Sequence, residues 1–179
     1  MAHQSSGSQI YVYSLILLLL LPLSAFAQSF HTESKKAVRS FATALEYYDN
    51  GRLDLALSAV NKALSFDDTF LDAILLKAEL SVALNNDSVA VSCYERLLSF
   101  DSLAFPRASL SLCRLYLKKE LYEKTIMLSK WFLSLDSQSE SSRKTAESLL
   151  ETAAFRKEAV SCLVDFEPVN IGGFVNTAA

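Results

Sequence analysis

Glycine and proline are scarce in this sequence: 179 residues hold four of the first and three of the second. That leaves too little turn chemistry for an all-β fold. Histidine is rarer still, at His3 and His31 alone, and the three cysteines, Cys93, Cys113 and Cys162, stand in no CxxC or HxxxH spacing. The usual zinc patterns are therefore missing. There is no excess of positive charge. The formal net charge is −3, and acids and bases are interspersed as on solvated helix faces. Nucleic acid is excluded as an expected partner on that ground. Gly172-Gly173 has neither the helix nor the Lys of a phosphate-binding loop. A nucleophile–base pair would have to join a cysteine to His31, and Cys113 falls at a packing position, where a thiol serves as a small hydrophobe. No catalytic residue, metal or cofactor is expected, and the chain does not read as an enzyme.

Long apolar runs are also absent, with one exception at the N-terminus. Ile10 to Leu23 is apolar and leads into Ser24-Ala-Phe-Ala27, an h-region followed by an A-x-A cleavage signal. Residues 1–27 are thus expected to be a signal peptide that contacts the membrane only during export, with 28–36 a short lead-in. The n-region has no Lys or Arg. A transmembrane anchor is the competing reading, but the run is shorter than the roughly 20 residues needed to span a bilayer, and Pro22 interrupts it. No cysteine precedes Cys93, so a lipid-modified N-terminus is not expected.

What is abundant is leucine, alanine, lysine and glutamate, all helix formers. A pentapeptide recurs as Leu64-Ser-Phe-Asp-Asp68, Leu98-Ser-Phe-Asp-Ser102 and Leu133-Ser-Leu-Asp-Ser137, with starts 34 and 35 residues apart. Around each copy a small residue returns twice: Ala44, Ala78 and Cys113, then Ala56, Ala90 and Thr125. The pattern predicts stacked helix–turn–helix units of about 34 residues. Antiparallel helices approach closely only where side chains are small, and Tyr47, Val60, Leu76, Tyr94, Leu97, Tyr116 and Phe132 would fill the space beside those crossings. Each turn within a unit needs a residue tolerant of left-handed φ, which Gly51 and Asn85-Asn86 supply. Lys119-Glu120 fits that requirement poorly. The Asp-Asp and Asp-Ser pairs between units are expected to end one helix and N-cap the next. An ordinary helical bundle is the alternative, though it has no reason to repeat a helix pair at this period.

The pattern resembles the tetratricopeptide repeat (TPR) over residues 37–137. The clearest copy is "ALEYYDNGRLDLALSAVNKALSFDD", with Ala44, Tyr47, Gly51, Ala56, Ala63 and Asp67-Asp68 at family positions. The second carries Ala78, Ala90, Tyr94 and Ser102. The third is degenerate, with Cys113, Tyr116, Tyr122, Thr125 and Asp136, and has one extra residue near Phe105-Pro106. The family's usual inter-repeat Pro is absent from all three. The resemblance implies an all-α, right-handed α-solenoid of about three TPR helix pairs after the signal peptide. Residues 138–163 read as a C-terminal capping helix over the last unit's apolar face, with Ala146, Leu149, Leu150, Ala153, Ala154 and Val160 as its apolar positions.

In such arrays the first helix of each pair lines a concave ligand face. By register the lining residues are Val38, Phe41, Leu45 and Tyr48 in unit one, Leu75, Glu79 and Val82 in unit two, and Arg107, Leu110, Arg114 and Lys118 in unit three. An apolar first half and a basic second half suit an extended or helical protein segment with acidic character. The competing reading is that several of these aromatics pack on neighbouring helices. Some cytosolic members grip a chaperone's C-terminal carboxylate with Lys and Asn in the first unit. The matching positions here are Phe41 and Leu45, so that clamp is missing. Cys93 and Cys113 lie on adjacent units, but disulfide geometry is restrictive and a bridge is not expected. Asn86-Asp-Ser88 matches a glycosylation sequon, and Asp87-Ser-Val89 and Asp101-Ser-Leu103 resemble an O-glycan acceptor of exported Bacteroidota proteins. Helix capping explains the same residues.

The end of the chain, "TAAFRKEAVSCLVDFEPVNIGGFVNTAA", carries a second resemblance. Phe155, Phe166, Pro168, Val169, Asn170, Ile171, Gly172, Val175, Asn176 and Thr177 match the junction at which Bacteroidota envelope proteins pass from a TPR domain to a PD40 β-propeller, often with an OmpA-like domain beyond. The PorE-type component of type IX secretion and gliding has this architecture. Residues 164–179 are then a linker and the start of a propeller that the sequence does not contain, either because it is a fragment or because it is a stand-alone remnant. The resemblance implies a periplasmic or outer-membrane protein–protein interaction scaffold with other envelope proteins as partners, and peptidoglycan contacted only through an absent domain. An accessory module positioning a downstream enzyme, and a periplasmic peptide-binding chaperone, are the alternatives.

Overall fold

A computed structural model describes residues 31–136 and 138–162. The expected signal peptide, the first residues of the lead-in and the propeller-like stretch 164–179 lie outside the described residues. Those described form seven helices and no strand: α1 (Lys35–Asp49), α2 (Leu53–Phe66), α3 (Leu71–Ala83), α4 (Asp87–Phe100), α5 (Pro106–Lys118), α6 (Tyr122–Leu133) and α7 (Glu140–Ser161). Each helix packs on the next, and α5 also packs on α7. This is an all-α solenoid of three helix pairs closed by a seventh helix. Among the described residues, no helix is long and apolar enough to cross a membrane.

The turns within the pairs repeat one hydrogen-bonding scheme. The amides of Arg52, Asn86 and Leu121 donate to the carbonyls of Tyr47, Ser81 and Tyr116 at 2.8, 2.7 and 2.9 Å. One residue earlier, the amides of Gly51, Asn85 and Glu120 donate to Tyr48, Val82 and Leu117. These two bonds make a Schellman turn, which places its middle residue in the left-handed region. Gly51, Asn85 and Glu120 have φ of 70°, 57° and 60°. The third turn therefore keeps the geometry of the others in spite of its sequence, and a β-carbon carries the strain at Glu120.

Between the pairs the expectation needs correction. Asp67 and Asp101 do terminate α2 and α4, their amides donating to Ala63 and Leu97. They do not N-cap the next helix, whose caps are Phe70 and Phe105 with no side-chain bond. Their carboxylates instead accept amides inside the turn, from Thr69 at 3.0 Å for Asp67 and from Leu103 and Ala104 at 2.9 Å for Asp101. Side-chain N-caps occur on α1, α4 and α7, from Ser34, Asn86 and Ser139. The extra residue of the third unit lies in the turn 101–105, where the preceding inter-pair turn spans only 67–70. Pro106 then opens α5 at a position that needs no amide.

The six small positions are all fully buried: Ala44, Ala56, Ala78, Ala90, Cys113 and Thr125. Val60, Leu76, Tyr94, Leu97, Tyr116 and Phe132 are buried beside them, and Tyr47 is half-buried. Cys113 faces α6, where the Ser129 hydroxyl reaches its sulfur at 3.5 Å, and all three thiols are free. Burial raises the Cys113 pKa to about 11. The capping helix seals Leu110, Cys113 and Phe132 with Ala146 and Leu149, and Arg143 donates to the Leu133 and Leu135 carbonyls at the end of α6. Its cover stops at Ala153, however. Ala154 and Val160 are exposed rather than packed, as is Phe155.

Candidate protein-interaction face

The first helices, α1, α3 and α5, share one side of the solenoid. Phe41 does not line it, because it is buried against Phe70 with ring centroids 4.9 Å apart. Leu110 is likewise buried, under the capping helix. Both belong to the core, since each inner helix must seal against the pair that follows. Of the other expected residues, Val38, Leu45 and Leu75 are half-buried, while Tyr48, Glu79, Val82, Arg107, Arg114 and Lys118 are exposed.

Two clefts organise this side. The first, of about 300 Å³, lies between α3 and α5 and brings together Leu75, Glu79 and Arg107. Sequence reasoning missed its floor, Tyr94 of α4, and its lip, Phe105-Pro106. Tyr94 had the signature of a gap-filling side chain, which gives no hint that one face borders an opening. The lip follows from the extra residue in the α4–α5 turn. The second cleft, about 670 Å³, lies between α5 and α7, where Arg114 faces Lys144, Ser148 and Leu149. Val38, Leu45, Tyr48, Val82 and Lys118 line neither cleft.

Desolvation by the apolar walls holds the Glu79 carboxyl above its ordinary pKa. It also raises that of Tyr94, with the neighbouring Ser111 hydroxyl partly offsetting the effect. Lys118 is neutralised by Asp87 at 2.5 Å. Among the described residues neither Arg107 nor Arg114 has an ion-pair partner. The arrangement offers apolar contact on one side of α5 and uncompensated positive charge along it. No group of three or more His, Cys, Asp or Glu able to hold a metal occurs among the described residues.

No protein-family model matches the sequence, and no curated protein matches it. Solved structures do. The first TPR of Spaghetti (RPAP3), bound to an HSP90 peptide, aligns with a TM-score of 0.60 at 16% identity, covering 72% of this chain and 98% of that one. The Sgt2 TPR domain of Aspergillus fumigatus gives 0.58 at 12% identity, covering 78% and 92%. The fold is that of a TPR domain. The Yersinia enterocolitica type III secretion chaperone SycD, solved with a peptide of the translocator YopD, gives 0.59 at 16% identity, covering 69% and 96%. At such identities the TPR likeness concerns the path of the backbone, so what the face binds must be argued from its own side chains.

Proposed function

We propose that this TPR domain is a non-catalytic protein-interaction scaffold of the bacterial envelope, acting in the periplasm or on the periplasmic face of the outer membrane within a secretion or gliding complex. The observation that carries the interaction role is the face of α3 and α5. There an apolar cleft adjoins Arg107 and Arg114, two guanidinium groups without an ion-pair partner among the described residues. An apolar cleft bordered by charged side chains has the make-up of an apolar patch with a polar rim. The envelope assignment is supported by the apolar N-terminal run with its A-x-A site and by the likeness of residues 166–177 to a propeller junction.

Affinity purification of the tagged full chain from fractionated cells tests both parts. The chain should be recovered from the envelope fraction with protein partners, and an Arg107→Glu/Arg114→Glu variant should lose them while staying folded. Recovery from the cytoplasm, or from the envelope without a stable partner, would overturn the proposal.

A further inference from the structure

The second helices of two successive pairs, α4 and α6, border a groove of their own, and we propose that it seats a second copy of this chain in a two-fold dimer. The groove has a volume of about 310 Å³ and is lined by Leu98, Ser102, Met127, Leu128 and Trp131. The repeat register sets this lining apart. The matching groove one repeat earlier, of about 320 Å³, is lined in part by Leu64, Ser92, Cys93 and Arg96. Leu64 and Leu98 open the same pentapeptide, and Met127, Leu128 and Trp131 hold the places of Ser92, Cys93 and Arg96. In the earlier groove Arg96 is fastened to Asp68, donating to its carboxylate at 3.2 Å and its carbonyl at 2.7 Å. In the later groove Trp131 and Ser102 stand in those two places. An ion-pair strap is exchanged for an indole, and polar walls for apolar ones.

Shape and charge both fit the patch to a copy of itself. It holds a knob as well as a hole, because Met127 is 69% exposed at the groove and Leu103, next to Ser102, is 68% exposed. In a two-fold contact residue i meets j while j meets i, so the Met127 of each copy can enter the groove of the other. The rim carries both signs. Lys130 stands on the α6 side and Asp101 on the α4 side, both exposed and neither in an ion pair among the described residues. Asp101 accepts the Leu103 and Ala104 amides through one oxygen, and its other oxygen can take the Lys130 of a second copy. A partner of one charge sign would be repelled by half of this rim, whereas a second copy brings the complementary half. Glu95 and Lys124 also bridge α4 and α6, but they neutralise each other at 3.1 Å. Since the earlier groove is polar and strapped, the patch occurs at one interface among the described residues, and a two-fold contact closes at two chains.

The test is sedimentation of the full chain, purified from its own cells, over a wide range of concentration. Monomer should pass to dimer and no further. Trp131 is the chain's single tryptophan, so its emission should shift to the blue along the same concentration curve. Met127→Glu should weaken the dimer about a hundredfold and leave the melting temperature unchanged, because the side chain is exposed in one chain; Leu103→Glu is the second variant of this kind. Lys130→Glu should weaken it about tenfold by facing Asp101 of the other copy, and adding Asp101→Asn, which keeps an acceptor oxygen for the turn, should recover part of that loss. A chain that stays monomeric at every concentration overturns the proposal, as does a dimer that Met127→Glu and Leu103→Glu both leave intact. Growth into open assemblies overturns the two-fold closure. A different protein held at Met127 by a chain that does not pair with itself overturns the second copy as occupant.

Discussion

Replacing Tyr116 with phenylalanine removes one oxygen and leaves the ring where it is. That oxygen joins two repeats: the hydroxyl on α5 donates to Glu95 of α4 at 2.6 Å, and Lys124 of α6 reaches the same carboxylate at 3.1 Å. Lys124 also lies 4.9 Å from the Tyr116 ring centroid, a contact the variant keeps. A hydrogen bond to a charged partner is worth about 1.5–3 kcal/mol net. The Glu95 side chain is 43% exposed, so water can replace the lost hydroxyl, and the expected loss falls to about 1 kcal/mol. At a urea m-value of about 2 kcal/mol/M, the midpoint should drop by about 0.5 M. The pH dependence supplies a sharper test. The Tyr116 hydroxyl, then Lys124, hold the Glu95 carboxyl below its ordinary 4.5. A lowered folded-state pKa gives stability that is complete above the ordinary value and lost as pH falls through the folded one. Wild type should therefore lose stability faster than Tyr116→Phe on acidification from pH 5 toward pH 3. Parallel losses over that interval, or equal urea midpoints at pH 7, would refute the reasoning.

Phe70→Ala should cost about 3–5 kcal/mol, because the ring is fully buried and its removal leaves a void against Phe41; thermal unfolding followed by circular dichroism measures it. Glu120→Gly should stabilise by about 0.5–1 kcal/mol by relieving a φ of 60°. Gly51→Ala should destabilise by about 1 kcal/mol through backbone strain alone, since an added β-carbon meets nothing within 4 Å. In a colorimetric thiol assay at pH 8 the exposed Cys162 should react at once. Cys113, buried and with its pKa raised to about 11, should react only on unfolding.

The helix pairs were legible because close helix crossings leave no choice of side chain: Ala, Cys or Thr at six fixed positions is a steric demand that survives divergence. Glu120 shows where legibility ends. Neighbouring bonds impose its left-handed φ, so the turn keeps its shape after the sequence signal has gone. The proposed binding side was harder to read because a helix face open to a partner and one facing the next repeat have the same apolar pattern. Phe41 and Leu75 occupy equivalent register positions, yet the first is core and the second lines a cleft. Asp67 and Asp101 misled for a related reason, since an Asx turn and an N-cap use the same carboxylate and the same kind of amide.

Past Ala153, none of the described residues of α7 is buried, with Phe155 71% and Val160 53% exposed. At about 1.5 Å per residue, the stretch from Ala154 to Ser161 extends roughly 12 Å. The Lys157–Glu123 ion pair at 3.4 Å is its lateral tie to α6. Mechanically this part of α7 is a cantilever: a pull applied near Cys162 is borne by a hydrogen-bonded rod and delivered to the capping contacts around Ala146 and Leu149. Under load, α7 should peel from its C-terminal end toward Ala153, and the three helix pairs should open only after the seal over Phe132 is gone.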